Sequence, residues 1–205
     1  MKCVVANFIP QLLLPEQKEH RAAVANDLIQ ATTSEPDFLK KATAGDKSWV
    51  HSDDPETEAQ LARWESSGSL CLKKAQQSHN KIKTMLTVFF DWEGVVHHKY
   101  TPPGQTINKE YYLNVLCRLR DAVPQKGLQL WATGDWQLHH DNTSAHASLL
   151  VQRFLVKHQI IQVTQPPCSP DLVPCDSWLF PKLKSSLKGK TFQTVYETQE
   201  NMRGS

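Results

Sequence analysis

Three aspartates stand at positions where a carboxylate could do chemistry. Asp46 follows Gly45 in an expected strand, Asp141 ends another expected strand, and Asp176 precedes an apolar helix. Mg²⁺ prefers oxygen ligands, and two ions about 3.5–4 Å apart need carboxylates that converge from different elements. The set is therefore a candidate for phosphodiester chemistry. Taken singly, Asp176 could also cap its helix, and Asp141 could terminate its strand together with Asn142.

The N-terminal part of the chain predicts a helical arm that leads into a strand. Pro15 suits the first position of a helix, and an amphipathic stripe continues from Glu16 to Gln30. A short second helix through about Lys41 precedes a strand from Ala44 to His51. The segment from Pro55 to Trp64 is ambiguous, because its residues tolerate a helix.

The rest of the chain predicts a hairpin followed by alternating helices and strands. The apolar run from Met85 to Phe90, a type I turn from Asp91 to Gly94 and a returning strand from Val95 to Tyr100 make the hairpin. This order predicts an α/β fold with a mixed sheet, in which an antiparallel start feeds parallel βαβ units. The later elements are a helix capped by Asn108 and ended by Pro124 and Gly127, a strand from Trp136 to Asp141, a helix from Ala147 to His158 and a strand from Ile160 to Val163.

Composition limits the class of protein. The 205 residues are 40% hydrophobic and 21% charged, which suits one globular domain with an arm and excludes collagen and disorder. The formal net charge of +2 neither predicts nor forbids an anionic partner. The five cysteines are odd in number and form no C-x-x-C pair, so we expect reduced thiols in a nuclear or cytosolic protein. No apolar stretch is long enough to predict a membrane span.

The sequence segments around the aspartates provide further evidence. His139 to His146 reads HHDNTSAH, residues 167–176 read PCSPDLVPCD, and 34 residues separate Asp141 from Asp176. These segments strongly resemble the mariner branch of the Tc1/mariner transposases, whose DD34D triad is named for that spacing. The segment AGDKSW at residues 44–49 resembles the family's T-G-D-E-S/T-W, so Asp46 takes the first carboxylate by that resemblance. The likeness runs from about residue 8 to about residue 200.

The resemblance implies both a fold and an activity. The fold would be RNase H-like, with the first and fourth strands adjacent, so that Asp46 and Asp141 face each other and Asp176 enters from the following helix. It needs a second antiparallel strand. We place that strand at Pro55 to Trp64, although the residues there also tolerate a helix. The chemistry would be nicking of DNA and then strand transfer with two Mg²⁺ or Mn²⁺ ions, in the nucleus, with no membrane and no small-molecule cofactor.

Further residues have supporting roles in this interpretation. We expect His140 or Asn142 to orient Asp141. The alternative of a zinc site fits no common ligand spacing. A solvated helix face would explain the later lysines about as well as contacts to DNA. The expected phosphate-contacting residues are Lys73, Lys74, Lys182, Lys184, Lys188 and Lys190, and the alternative zinc ligands are His139, His140, His146, Cys168 and Cys175.

The sequence also departs from the family pattern. The paired helix-turn-helix region that precedes the family's catalytic domain is not in this sequence, which we divide into an arm (1–42), a catalytic core (43–190) and a shortened C-terminal tail (191–205). Lys47 replaces an acidic residue, and we expect it to lower the pKa of Asp46 and to compete with a metal. Three hypotheses follow: a nicking enzyme, a DNA-binding or homodimerising module without turnover, and a relic without a role.

Overall fold

A mixed five-stranded sheet forms the centre of the protein. The computed structural model describes residues 13–52, 83–126 and 135–203, apart from positions 186, 189, 191 and 193. The strand order is β3-β2-β1-β4-β5, with an antiparallel hairpin on one side and two parallel strands on the other. This is the arrangement that the element order predicted. The strands are β1 (Ala42–His51), β2 (Lys83–Asp91), β3 (Gly94–Tyr100), β4 (Gln137–His140) and β5 (Ile161–Val163).

Six helices and two short turns complete the described residues. Asn108 caps α3 by accepting a hydrogen bond from the Tyr111 amide at 2.8 Å, as expected. Of the two residues expected to end that helix, Pro124 lies within it, because a proline near a helix end removes only one N–H donor, and the helix ends at Lys126, the residue before Gly127. The helices are α1 (Pro15–Ser34), α2 (Phe38–Lys41), α3 (Lys109–Lys126), α4 (Leu149–Lys157), α5 (Phe180–Ser185) and α6 (Val195–Arg203), and the turns are a 3₁₀ turn (Pro170–Leu172) and a π-helical turn (Cys175–Leu179).

The β2–β3 hairpin closes through the turn that the sequence predicted. The Asp91 carboxylate accepts hydrogen bonds from the amides of Glu93 at 2.9 Å and Gly94 at 3.0 Å. Gly94 has a φ of +129°, a conformation that residues with a side chain rarely adopt. The antiparallel partner of β1 is β2. The strand that we placed at Pro55 to Trp64 lies outside the described residues.

Two apolar cores cover the two faces of the sheet. Phe89, Leu116 and Leu138 belong to the core formed with α3 and α4. Val88 and Leu179 belong to the opposite core, which is formed with the π-helical turn and α5. Successive residues of β2 therefore point into different cores, which explains why its apolar run is continuous rather than alternating. Within the described residues, no helix combines the length and the apolar composition needed to cross a membrane.

Gly45 allows the sheet to pack closely beside Asp46. It pairs with Phe89 across β1 and β2, and the ring of Phe89 lies directly over its backbone. A Cβ atom at position 45 would stand 2.1 Å from Cδ1 of Phe89, which is fully buried and has no room to move. The glycine before Asp46 is thus a packing requirement of the strand.

Candidate active site

The register of the parallel strands brings Asp46 and Asp141 together. β1 and β4 are neighbours, as the resemblance implied, and Gly45 pairs with His140 at the carboxyl end of β4. Asp46 directly follows Gly45, and Asp141 directly follows His140, so the two aspartates are neighbours across the strands. Their side chains are 6% and 25% exposed, so both carboxylates lie largely out of solvent.

Asp176 approaches the same place from the π-helical turn. Asp46 shares a face of β1 with Ala44, which packs in the core that contains Cys175 and Leu179. The Asp176 carboxylate interacts with both other aspartates and forms a hydrogen bond with Asp46. The turn is anchored by Val173, whose carbonyl accepts hydrogen bonds from the amides of Asp176 and Ser177. The structure thus brings all three predicted carboxylates into one site.

The carboxyl of Asp46 resists ionisation. Burial raises its pKa to about 7, and the negative charges of Asp141 and Asp176 act in the same direction. The backbone N–H of Lys47 donates to Asp46 Oδ1 at 2.7 Å, and this bond and the ammonium of Lys47 lower the pKa by less. The expectation that Lys47 lowers the pKa of Asp46 is confirmed for its own contribution, but desolvation outweighs it and the net shift is upward.

Asp176 shifts in the same direction as Asp46. Desolvation raises its pKa, the hydrogen bond from Asp46 opposes that shift, and the charge of Asp141 adds to it. A hydrogen bond between two carboxyls needs a proton on one of them. Because Asp46 is the more buried of the two, we assign the proton to Asp46 and the accepting oxygen to Asp176.

Asp141 is held as an anion. Burial would raise its pKa, but the hydrogen bond and charge of His146, the charge of Lys47 and the hydrogen bond of Thr143 together bring the pKa below its usual value. His146 Nδ1 lies 2.5 Å and Thr143 Oγ1 3.0 Å from Asp141 Oδ1. Lys47 Nζ lies 3.2 Å from Asp141 Oδ2. Both oxygens of this carboxylate therefore already have partners.

A buried aromatic stack supports His146. Its ring stacks on Tyr112 with centroids 3.7 Å apart and on His140 with centroids 5.0 Å apart. The Tyr112 hydroxyl lies 2.7 Å from His140 Nδ1. Burial lowers the pKa of His146, although its contact with Asp141 opposes the shift. The ring is therefore neutral near pH 7, and the contacts of Nδ1 place its hydrogen on that nitrogen.

The residues that we expected to orient Asp141 bond elsewhere. His140 faces Tyr112, and Asn142 Nδ2 donates to the backbone carbonyl of Gln165. His146 and Thr143 do the orienting instead. Both lie in the segment that we quoted for its motif, but only the tertiary structure shows which of its polar side chains turn back toward Asp141.

Two of the predicted DNA-contacting lysines lie on α5 near this site. Lys184 Nζ donates to Ser48 Oγ at 2.7 Å, and Lys182 Nζ stands 5.0 Å from the ring centroid of Trp178. Lys188 and Lys190 follow α5 in the chain. Lys73 and Lys74 lie outside the described residues.

The donor set suits a hard divalent cation. Asp46, Asp141 and Asp176 offer only oxygen atoms, which Mg²⁺ and Mn²⁺ accept. In the part of the chain that the structure describes, no group of three or more His, Cys, Asp or Glu side chains is already arranged to hold a metal ion. The carboxylates are arranged around Lys47 instead, whose Nζ is also 3.9 Å from Asp46 Oδ1.

Comparison with known proteins shows which proteins this chain is similar to. A family model described as "Transposase (partial DDE domain)" matches residues 54–133. The Mariner Mos1 transposase of Drosophila mauritiana is 25% identical over 195 residues, covering 95% of this chain and 55% of that protein. The crystal structure of the Mos1 catalytic domain matches with a TM-score of 0.77 and 23% identity, covering 96% of this chain and 84% of that one. The chain resembles a mariner-type transposase catalytic domain.

The chain is also similar to a larger Mos1 assembly and to a human protein. A pre-cleavage Mos1 transpososome matches with a TM-score of 0.86 and 23% identity, covering 100% of this chain and 59% of that one. The expected RNase H-like fold is therefore confirmed. Human "Histone-lysine N-methyltransferase SETMAR" is 28% identical over 192 residues, covering 94% of this chain. This chain spans 28% of SETMAR and 55% of Mos1, so the activities of those whole proteins do not transfer with the likeness.

Proposed function

We propose that this chain is the catalytic part of a DNA transposase that cleaves and joins phosphodiester bonds with divalent metal ions. The observation that carries the proposal is the meeting of Asp46, Asp141 and Asp176, which come from two strands and a helical turn. The mariner-type likeness supports the same activity. Mos1 paired-end complexes described with Mn and with Mg support the choice of ion.

Each aspartate has a distinct part in this proposal. Asp141, already ionised and fixed by Thr143 and His146, presents Oδ2 toward the site. Asp46 and Asp176 share a proton, which must leave before both can act as ligands. Two bound Mg²⁺ or Mn²⁺ ions would supply Lewis-acid stabilisation of the entering and leaving oxygens at phosphorus. The chain's own residues provide the positions of the carboxylates and remove water from around Asp46.

DNA is the proposed substrate, and the lysines of α5 are its proposed contacts. Lys182 and Lys184 extend from the helix that follows Asp176, and Lys188 and Lys190 continue this basic segment. Such contacts to phosphate release counterions, so the slope of DNA affinity against salt concentration measures how many of them form. The pre-cleavage transpososome and paired-end complexes of Mos1 support DNA binding and a homodimer. A nuclear location follows from a chromosomal substrate and is part of the proposal.

A second candidate function is DNA binding or dimerisation without turnover. Lys47 favours it, because its ammonium lies 3.2 Å from Asp141 and 3.9 Å from Asp46, where it opposes the approach of a divalent cation. The two candidates share the fold and differ in whether the carboxylates support cleavage. A cleavage assay separates them.

The test uses the full chain with supercoiled plasmid and either Mg²⁺ or Mn²⁺. We expect relaxed circles that do not form in EDTA. Asp141→Ala should reduce the nicking rate more than about 100-fold. Mutating a residue that only supports a metal ligand typically costs roughly 10–100-fold, and this variant removes a ligand itself. Gel electrophoresis over a time course measures the rate.

Asp135→Asn is the matched control. Asp135 lies just before β4, whereas Asp141 lies just after it, and Asp135 pairs with Lys41 at 3.2 Å away from the site. This variant should nick at the rate of the unmodified protein. Metal-dependent nicking that survives Asp141→Ala would come from a contaminant or another site and would reject the assignment. Protein that binds plasmid without nicking it would favour the second candidate.

A further inference from the structure

Lys47 is the feature of the site that the proposed chemistry does not use. Its ammonium contacts three oxygens, at 3.2 Å for Asp141 Oδ2, 3.3 Å for Thr143 Oγ1 and 3.9 Å for Asp46 Oδ1. The side chain is 21% exposed, so it lies largely within the site rather than in solvent. A lysine is normally hydrated and seldom this buried unless it has paired charges.

Lys47 occupies the carboxylate oxygen of Asp141 that is left for a cation. Oδ1 of Asp141 is occupied by His146 and Thr143, so Oδ2 is the oxygen that remains for a metal. Lys47 Nζ is bound to that oxygen. The charge of Asp141 opposes ionisation of Asp46, and the ammonium of Lys47 offsets this effect as a bound ion would.

We infer that Lys47 is a tethered cation that takes the place of one divalent ion between Asp46 and Asp141, so that a metal must displace it to bind. This inference rests on the proposed function, because it assumes that these aspartates bind metal. Two linked properties of the metal-free protein follow. Lys47 stabilises the empty site, and the same contact weakens the affinity of the site for Mg²⁺ and Mn²⁺.

The first test measures Mn²⁺ binding by calorimetry and by the electron paramagnetic resonance signal of free Mn²⁺. Lys47→Gln should bind Mn²⁺ at least about tenfold more tightly than the unmodified protein, because a neighbouring charge at this distance is worth at least the equivalent of one tenfold step. Lys47→Arg keeps the charge and should bind as weakly as the unmodified protein. Adding Asp141→Asn to Lys47→Gln should abolish the tight binding.

Lys41→Gln is the matched control for the loss of a lysine. Lys41 is 19% exposed, precedes β1 and pairs with Glu35 and Asp135 outside the site. It should leave Mn²⁺ affinity unchanged. In EDTA, Lys47→Gln should lower Tm, and Mn²⁺ should restore it, whereas the unmodified protein should gain little Tm from Mn²⁺. Circular dichroism establishes that each variant is folded before its binding is compared.

The second test needs no variant. Lysine acetylation by a small anhydride, followed by peptide mass spectrometry, reports how freely each ammonium reaches solvent. Mg²⁺ should increase the acetylation rate of Lys47, since the bound ion expels it from the site, and should leave that of Lys41 unchanged. Their similar exposure makes Lys41 an internal standard.

The outcomes separate this inference from the proposed function. Equal and measurable Mn²⁺ affinity in the unmodified protein and in Lys47→Gln, with no change in Lys47 acetylation, overturns the inference and leaves the proposed function standing. Folded protein that binds no Mn²⁺ with or without Lys47 overturns the proposed function, and the inference fails with it. Tighter binding in Lys47→Gln that depends on Asp141 supports both.

Discussion

The site consists of two regions that are held in place by different means. The strand region, residues 42–48 and 137–146, supplies Asp46 and Asp141 from the centre of the sheet. The helical region, residues 168–185, supplies Asp176 from a turn whose side chains at positions 176–178 are solvent-exposed. Hydrogen bonds between strands fix the first region, whereas apolar packing in one core and a few polar side-chain contacts fix the second.

Packing shows the same contrast. Gly45 lies under the fully buried ring of Phe89, so the strand region has no free space beside Asp46. The helical region packs its apolar side chains into one core and is also held by Arg21 of α1, whose guanidinium contacts Asp171 at 2.8 Å and Ser169 at 2.9 Å. The two strand aspartates are therefore prearranged by the sheet, while Asp176 lies on an exposed turn whose contacts can open locally.

The largest expected effect comes from breaking the strand region at Gly45. Gly45→Ala places a Cβ atom 2.1 Å from the Phe89 ring, and neither the buried ring nor the central strand can move without disturbing the core. We expect the free energy of unfolding to fall by about 3 kcal/mol and Tm to fall by roughly 10 °C. Thermal and urea unfolding measure both quantities.

A second variant shows whether that loss comes from the ring. Gly45→Ala combined with Phe89→Leu should recover part of the stability, because the smaller side chain makes room for the new methyl group. A Gly45→Ala protein with unchanged stability would mean that the strand region is less tightly packed than its geometry indicates.

For the sheet and the helix beside it, the sequence alone predicted most of the course of the backbone. The apolar run of β2, the turn at Asp91 and the cap at Asn108 are local patterns, and the structure confirms all three. The adjacency of β1 and β4 followed from the resemblance to a family, since no local pattern sets the order of strands.

The side-chain contacts were beyond sequence reasoning. Lys47 was expected to act on its neighbour Asp46, but its long side chain reaches Asp141, which is 94 residues away, more closely. The balance between burial and charge at Asp46 depends on packing that no spacing reveals. The contact of Arg21 with Asp171 spans 150 residues and has no motif, so the sequence gives no sign of it.

The next expected effect concerns the opposite pKa shifts of the two strand aspartates. Folding raises the pKa of Asp46 to about 7, so its contribution to stability is complete below the unfolded pKa of about 3.8 and is lost as the pH rises through 7. Asp46→Asn keeps a donor for Asp176 and has no charge. In EDTA it should be more stable than the unmodified protein by about 2 kcal/mol at pH 8, and the gain should shrink toward pH 4.5.

Asp141→Asn supplies the contrasting result. Folding lowers the pKa of Asp141, so its contribution is present above the unfolded pKa and is lost as the pH falls. This variant should therefore be less stable than the unmodified protein at pH 8, with the difference shrinking in acid. Urea unfolding measures the two trends, from pH 8 to 4.5 for Asp46→Asn and from pH 8 to below the unfolded pKa of 3.8 for Asp141→Asn. Parallel trends for the two variants would show that burial and the His146 contact do not shift the pKa values of these two carboxylates in opposite directions.

The smallest expected effect on stability, and the most local one, comes from the helical region. Arg21→Lys keeps the charge but loses the two-pronged contact with Asp171, and we expect it to cost about 1 kcal/mol or less because that carboxylate is 42% exposed. Hydrogen exchange followed by mass spectrometry should show faster exchange in residues 168–179 and no change in residues 42–51. Arg120→Lys, which loosens a contact with Asp121 on α3, is the matched control and should alter neither segment. Equal acceleration in both segments would mean that the three aspartates open as one unit, whereas acceleration confined to the helical region makes the placing of Asp176 the adjustable step of the site.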